Sequence, residues 1–354
     1  MRIETATRAL HEAVFRGEED YIPLIVSLPA PDLPSKESLA LDPGRNVPIA
    51  CAAQAERENL DDDWIPTINI GHFQNVVVPS LFGAKIVSLD GSEPICETRF
   101  SSAEAAAEAG IPELSGPRVD ELFDTVDTAL SVLPEGWRLS MPPVSSPFDL
   151  AQLLLGEDFL VGLYTEPEAV AQFLDHLTDL VIRLTRRVKT SLGLRDDEYI
   201  TNRGLFFPGL RQPCDAIVNL SPGHIETFVL PVLEKLGGEF GRICVHYCTT
   251  PSPSFHVLPA LLGCACVGAV DNWQGPEAFI GEAQPARNQD RIAVITDLEL
   301  RSRADVDAFF AHPAVAGVPR RGGRGLVIGT KADSAAEARE LLSYWRSRQA
   351  GRPA

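Results

Sequence analysis

Residues 221–271 read SPGHIETFVLPVLEKLGG (221–238), RICVHYC (242–248), SFHVLPALLG (254–263) and ACVGAVD (265–271). The first and third pieces repeat apolar residues at helical spacing, and Ser221 caps the first. The second and fourth are apolar runs of strand length. Helix, strand, helix, strand in close succession predicts parallel strands joined by crossover helices.

The same alternation extends in both directions, mainly after residue 60. WIPTINI (64–70) is strand-like and ends at Gly71-His72, and VDELFDTVDTALSVL (119–133) is helical. FDLAQLLLG (148–156) starts a helix that Gly156 stops, and 166–193 is a long helix with proline near its start. ITNRGLFFP (200–208), RIAVITDL (291–298) and GLVIGT (325–330) are strands, with helices at 303–311 and 334–348. The number of units favours an α/β fold of the closed (β/α)8 TIM-barrel kind over an open sheet. Residues 1–60 are expected to form a helical and extended N-terminal cover, 61–348 the barrel and 349–354 a tail.

In such a barrel, chemistry sits where strands end and loops begin. His72, Cys214, Asp215, His246, Cys248, Asp271, Asp297 and Thr330 are then all expected near one rim. Strand alternation puts Cys244, His246 and Cys248 on one face. His246 and Cys248 read either as a metal-binding pair or as packed residues of an ordinary strand. Cys264 and Cys266, at the start of their strand, belong at the opposite end and read as small core residues. Trp273 and Phe255 lie near the rim, where they either flank a substrate or pack.

With 354 residues and 45% hydrophobic content, the chain can bury a large core. No apolar run approaches the ~20 residues needed to cross a bilayer. The first twenty residues read as an amphipathic helix carrying acids, not as a signal peptide. Seven cysteines at irregular spacing do not suggest a disulfide framework, so the cytoplasm is the expected compartment. A net charge of −18 argues against nucleic acid. It also disfavours a polyanionic substrate unless a local basic pocket overcomes the overall field. The dense basic run, residues 319–325, reads as a loop before a strand, with a phosphate loop as the sharper alternative.

The stretches SSPFDLAQLLLGEDFLVGLYTEPEAVAQFLDHLTDLV (145–181), DAIVNLSPGHIETFVLPVLEKLGGEFGRICVHYC (215–248) and GLVIGTKADSAAEARELL (325–342) resemble the uroporphyrinogen decarboxylase superfamily. That superfamily also holds zinc-dependent, corrinoid-linked methyltransferases of the methylcobalamin:coenzyme M type. The resemblance covers roughly residues 60 to 348 and implies a (β/α)8 barrel. The decarboxylases' arginine-rich N-terminal segment has no counterpart here. Gln74 stands where they place an essential Asp, Leu153 where they have Tyr, Asp215 where they have Ser, and Thr330 near their late His. Porphyrinogen decarboxylation is therefore not expected.

The methyltransferase branch carries His-x-Cys after its fifth strand, matched by His246 and Cys248. The resemblance implies zinc there, lowering a thiol's pKa so that its thiolate attacks a methyl group carried on cobalt. Those enzymes add a late cysteine as a further ligand, and this chain has none after Cys266. Cys214, His72 or a carboxylate such as Asp271, Asp297 or Glu299 is the expected replacement, with Cys214 first. Asp215, His246 and Asp271 are the expected catalytic groups, and His72, Gln74, Trp273 and Asp297 the expected substrate contacts. No corrinoid-carrying Asp-x-His-x-x-Gly segment is present, so a corrinoid would arrive on a separate protein or free. The expected partners are a small-molecule substrate and a second copy in a homodimer. Two other functions stay open: a decarboxylase-type lyase with a different substrate, and a non-catalytic small-molecule-binding barrel.

Overall fold

The computed structural model describes residues 2–88, 93–248, 256–272, 292–316 and 325–350. Eight short strands are joined in parallel pairs among the described residues: β1 (Leu24–Ser27), β2 (Thr67–Ile68), β3 (Arg138–Leu139), β4 (Gly209–Pro213), β5 (Arg242–His246), β6 (Val267–Asp271), β7 (Ala293–Asp297) and β8 (Leu326–Lys331). Six form one sheet in the order β1-β8-β7-β6-β5-β4, and β2 pairs with β3. The last strand therefore lies beside the first. Single backbone hydrogen bonds link the two pieces: Asp63 N–H to Leu24 O (3.4 Å) and Ser146 N–H to Pro213 O (3.1 Å). Asp63 precedes β2 and Ser146 follows β3, so these bonds join loop to strand beside the two sheets.

The strands are buried runs such as Ile243, Cys244 and Val245 in β5, or Leu326, Val327 and Ile328 in β8. Burial on both faces is what a helix-covered parallel sheet demands. The long helix, expected over 166–193, spans Pro167–Ser191 and turns Val170, Phe173, Leu174, Leu177, Val181 and Leu184 inward. Near its end Lys189 is buried, and its Nζ donates to the carbonyls of Glu198 (2.7 Å) and Gly209 (3.1 Å). A buried ammonium persists only with such partners, and these fix the helix end to the start of β4.

Two expectations need correction. The segment read as cover does open with a helix, Arg2–Phe15, but it also supplies β1, an edge strand of the main sheet. Residues 200–208 do not join that sheet. Tyr199–Ile200 and Phe206–Phe207 make a small antiparallel hairpin, and the sheet strand is the next stretch, Gly209–Pro213. Arg211 and Gln212 interrupt its hydrophobic pattern, which hid it. β3 carries only two paired residues and gave no periodic signal.

The N-terminal helix is anchored by His11, which is fully buried. Its Nδ1 accepts from Phe206 N–H (3.1 Å), so Nε2 carries the proton and donates to Asp63 O (2.9 Å). Asp63 in turn accepts Leu24 N–H on β1 (2.9 Å). A neutral imidazole thus ties helix, hairpin and first strand together.

Candidate metal centre

Parallel register sets His246, the last residue of β5, beside Pro213 of β4 and Asp271 of β6. All three strand ends face the same way, so their side chains and the following loops converge. His246 Nδ1 lies 3.0 Å from the backbone carbonyl of Asp271 and 3.6 Å from its carboxylate. The carbonyl can only accept, so Nδ1 donates and Nε2 is left with its lone pair outward. Cys248 Sγ stands 3.5 Å from that Nε2, and Asp215 Oδ1 stands 3.9 Å away. The Cys248 backbone N–H also donates to Asp215 Oδ1 (2.8 Å), closing the group.

One nitrogen, one sulfur and one carboxylate oxygen thus lie within 4.8 Å of one another. Bonds of ~2.0–2.3 Å to a tetrahedral zinc put ligand atoms roughly 3.3–3.8 Å apart. The observed spacing is close to that, and three protein donors leave a fourth position for a substrate. The charge balance fits as well. Burial and the Asp215 carboxylate push the Cys248 thiol up to about 11, so without a cation it keeps its proton at neutral pH. A divalent ion reverses that preference. The donor set therefore suits zinc.

The supports of this group are buried. Asp271 accepts from Arg211 Nε (2.7 Å), and the two side chains are 2% and 5% exposed. Burial alone would lift the Asp271 carboxyl, but Arg211 and His246 hold it well below the usual carboxylate range. Asp149, in the helix Pro147–Leu155, accepts the backbone N–H groups of Asp215 (3.2 Å) and Ala216 (3.0 Å). It thereby fixes the short 3-10 turn Asp215–Asn219 that presents Asp215.

The other expected site residues fall in different places. Cys214 is 1% exposed; its backbone N–H donates to the His246 carbonyl (2.7 Å), but its thiol is not one of the three clustered donor atoms. The third donor is Asp215 instead, one residue on. Asp271 orients His246 from behind and does not join the donor set. Thr330, where the branch would have its late ligand region, is committed to structure: its hydroxyl donates to Leu298 O (2.8 Å) and accepts Leu300 N–H (3.2 Å). Gln74 lines a cavity of about 510 Å³ together with Asn75, Ser145, Gln152, Asp149 and Asp215, so it shares a wall with the donor group. His72 packs edge-on to Phe73 and lines neither that cavity nor the larger one. Asp297 lies in the larger cavity, about 740 Å³, bound through both oxygens to Arg203. Trp273, Phe255 and residues 319–324 of the basic run lie outside the described residues.

Sequence reasoning missed Arg211, Asp149, Arg203 and Arg57. Arg211 left a trace, since an arginine inside a strand between buried neighbours implies a buried partner. Asp149 sits three residues after Ser146, and its own N–H is capped by that serine (2.9 Å), so it reads as ordinary helix-start chemistry.

No family model matches the sequence, and no curated protein matches it. Among solved structures, a methyltransferase from Methanosarcina mazei is similar with a TM-score of 0.63 and 12% sequence identity. The match covers 97% of this chain and 99% of that one. The two share a fold over nearly their whole lengths.

Proposed function

We propose that this chain is a (β/α)8-barrel methyltransferase of the uroporphyrinogen decarboxylase superfamily type, holding zinc at Asp215, His246 and Cys248. The observation that carries this reading is the convergence of those three donors at the ends of β4 and β5, inside a fold shared with a methyltransferase. Zinc in this place would act as a Lewis acid, lowering the pKa of a thiol-like acceptor so that it reacts as thiolate with a methyl donor. The donor is a methylated small molecule or a corrinoid brought by a separate protein.

The chain's own residues do the rest. The Asp271 backbone carbonyl accepts the His246 Nδ1 proton and so keeps Nε2 free to ligate, an outer support common to metal-binding histidines. Arg211 holds the Asp271 side chain ionised in a dry place. Asp149 steadies the backbone that carries Asp215. The cavity at Gln74 shares Asp215 with the donor group and would admit the small-molecule substrate. Without the decarboxylases' arginine segment and with Leu153 unable to donate a proton, the chain is not expected to turn over uroporphyrinogen.

Metal analysis of the purified protein tests the reading. About one zinc per chain is expected, lost in Cys248→Ala and in His246→Ala and weakened in Asp215→Ala. Cobalt(II) substitution should give a thiolate-to-metal charge-transfer band that Cys248→Ser lacks. Protein that neither contains nor binds zinc would overturn the assignment.

A further inference from the structure

The 740 Å³ cavity is not the one that meets the His246 group. Its walls come from the other side of the strand set: Ile25 of β1, Ile295 of β7, and Val327 and Ile328 of β8 give it an apolar floor. Four cationic residues, Arg57, Arg203, Arg301 and Lys331, line it against two acids, Asp297 and Glu299. In a chain of net charge −18, that is a local reversal of sign. Arg203 and Asp297 satisfy each other (Nη2 to Oδ2, 2.6 Å) across Gly329, where a Cβ would sit 2.0 Å from Asp297 Oδ1, and Arg301 reaches Asp333 (3.3 Å), which leaves Arg57 and Lys331 against Glu299.

Arg57 is the informative residue. Its guanidinium lies 4.0 Å over the Trp64 ring, which fixes its plane. Its Nε is buried and has no hydrogen-bond partner among the described residues. Burial draws the group down to about 10 despite the nearby Asp62 carboxylate, and Arg203 adds like charge. A guanidinium that lines the cavity with one nitrogen unpartnered, and a second guanidinium near it, favours an anion in that cavity.

We propose that this cavity is a binding site for a small-molecule carboxylate with an apolar body, its head group held by Arg57. Asp297 already shows how a carboxylate fits a guanidinium fork in this cavity. The apolar floor takes the body of the ligand, and the cavity has the size usual for small-molecule sites. The inference does not depend on a metal at the His246 group.

Calorimetric titration with hexanoate tests it, using its neutral and cationic counterparts, hexanamide and hexylammonium. The unaltered protein should bind hexanoate about tenfold or more tightly than hexanamide, and hexylammonium not measurably. Arg57→Gln should lose hexanoate about ten- to hundredfold. Arg118→Gln, which removes equal charge from a surface pair with Glu121, should bind as the unaltered protein does. Cys248→Ser should also bind normally. Equal binding of hexanamide, normal hexanoate binding by Arg57→Gln, or equal weakening in Arg118→Gln would each overturn the proposal. So would the absence of hexanoate binding to the unaltered protein. The comparison of the three probes needs no variant, so it stands even where Arg57→Gln folds poorly.

Discussion

Two arginine–aspartate pairs stand at the ends of the parallel strands, and they differ mainly in how much water reaches them. Arg211 and Asp271, on the β4–β6 side, are 5% and 2% exposed. Arg203 and Asp297, on the β7–β8 side, are 21% and 39% exposed and border the 740 Å³ cavity. The first pair is sealed beneath His246 and orients it. The second is open to solvent beside an arginine whose Nε has no hydrogen-bond partner among the described residues. The same two residue types thus serve as a buried brace on one side and as part of a binding wall on the other. Burial decides, because two charges out of water tolerate no loss of partner, whereas exposed charges are hydrated when separated.

The largest expected effect tests the brace. Asp271→Ala leaves Arg211 charged in a dry interior and takes the carboxylate from beside His246. It should cost about 3–5 kcal/mol in urea unfolding, and zinc affinity should fall about 10–100-fold as the imidazole loses the carboxylate 3.6 Å from Nδ1, although the backbone carbonyl that accepts its proton remains. Replacing both partners, Arg211→Met with Asp271→Leu, should recover much of the stability but none of the zinc affinity. A small loss in the single variant would mean that water enters the pair and that the two sides are alike.

Acid should separate the two sides as well. His11 anchors the N-terminal helix to Asp63 and Phe206, next in sequence to Asp62 behind Arg57 and to Leu205 of the larger cavity. Burial lowers His11 from 6.5 to about 4. The unfolded chain therefore takes the proton first. The stabilisation is complete above 6.5 and is lost as pH falls from there towards 4, about 3 kcal/mol in all. Asp62 and Asp63 titrate in the opposite sense, since burial lifts both. Arg8 and Glu12 flank His11 on its own helix, and Glu198 faces Arg8. The informative quantity is accordingly the difference between the unaltered protein and His11→Gln, measured by urea unfolding at pH 7.5 and 4.5. That difference should shrink by about 2.5 kcal/mol at the lower pH, most of the full effect. The β4–β6 brace should not respond over this range, because Asp271 stays ionised well below it. A constant difference would show that His11 is charged in the fold.

The sequence disclosed one side of the molecule far better than the other. His-x-Cys on a strand is a local pattern, and alternation alone places both side chains on one face, so His246 and Cys248 were readable. The strands β5 to β8 were readable too, because apolar residues fill them. The third donor was not: Asp215 and Cys214 are neighbours, and only the backbone held by Asp149 decides which one turns towards His246. The basic cavity was invisible for a different reason. Arg57, Arg203 and Arg301 lie far apart in sequence amid acids, and only the meeting of β8 with β1 collects them. Charge counted along the chain gave −18, whereas charge gathered around the cavity has the opposite sign.

The smallest expected effect on stability comes from Asp297→Ala. The variant breaks an arginine–aspartate ion pair, as Asp271→Ala does, and this one is bidentate, so a count of hydrogen bonds alone would not rank it the weaker. Yet Asp297 is more than one-third exposed, so Arg203 regains hydration where Arg211 does not. Exposed pairs contribute about 0–1 kcal/mol, and unfolding should register no more than that. The cavity should respond in the other direction. Losing one of its two acids makes it more positive, and hexanoate should bind several-fold more tightly, with the gain shrinking as salt is raised. The vacated carboxylate position lies beside Gly329, whose missing Cβ gave Asp297 room. Asp297→Ala leaves that room to a ligand, whereas Asp297→Asn fills it with a neutral group, so alanine should give the larger gain. A stability loss above about 3 kcal/mol would place this pair in the class of buried bridges and erase the distinction between the two sides.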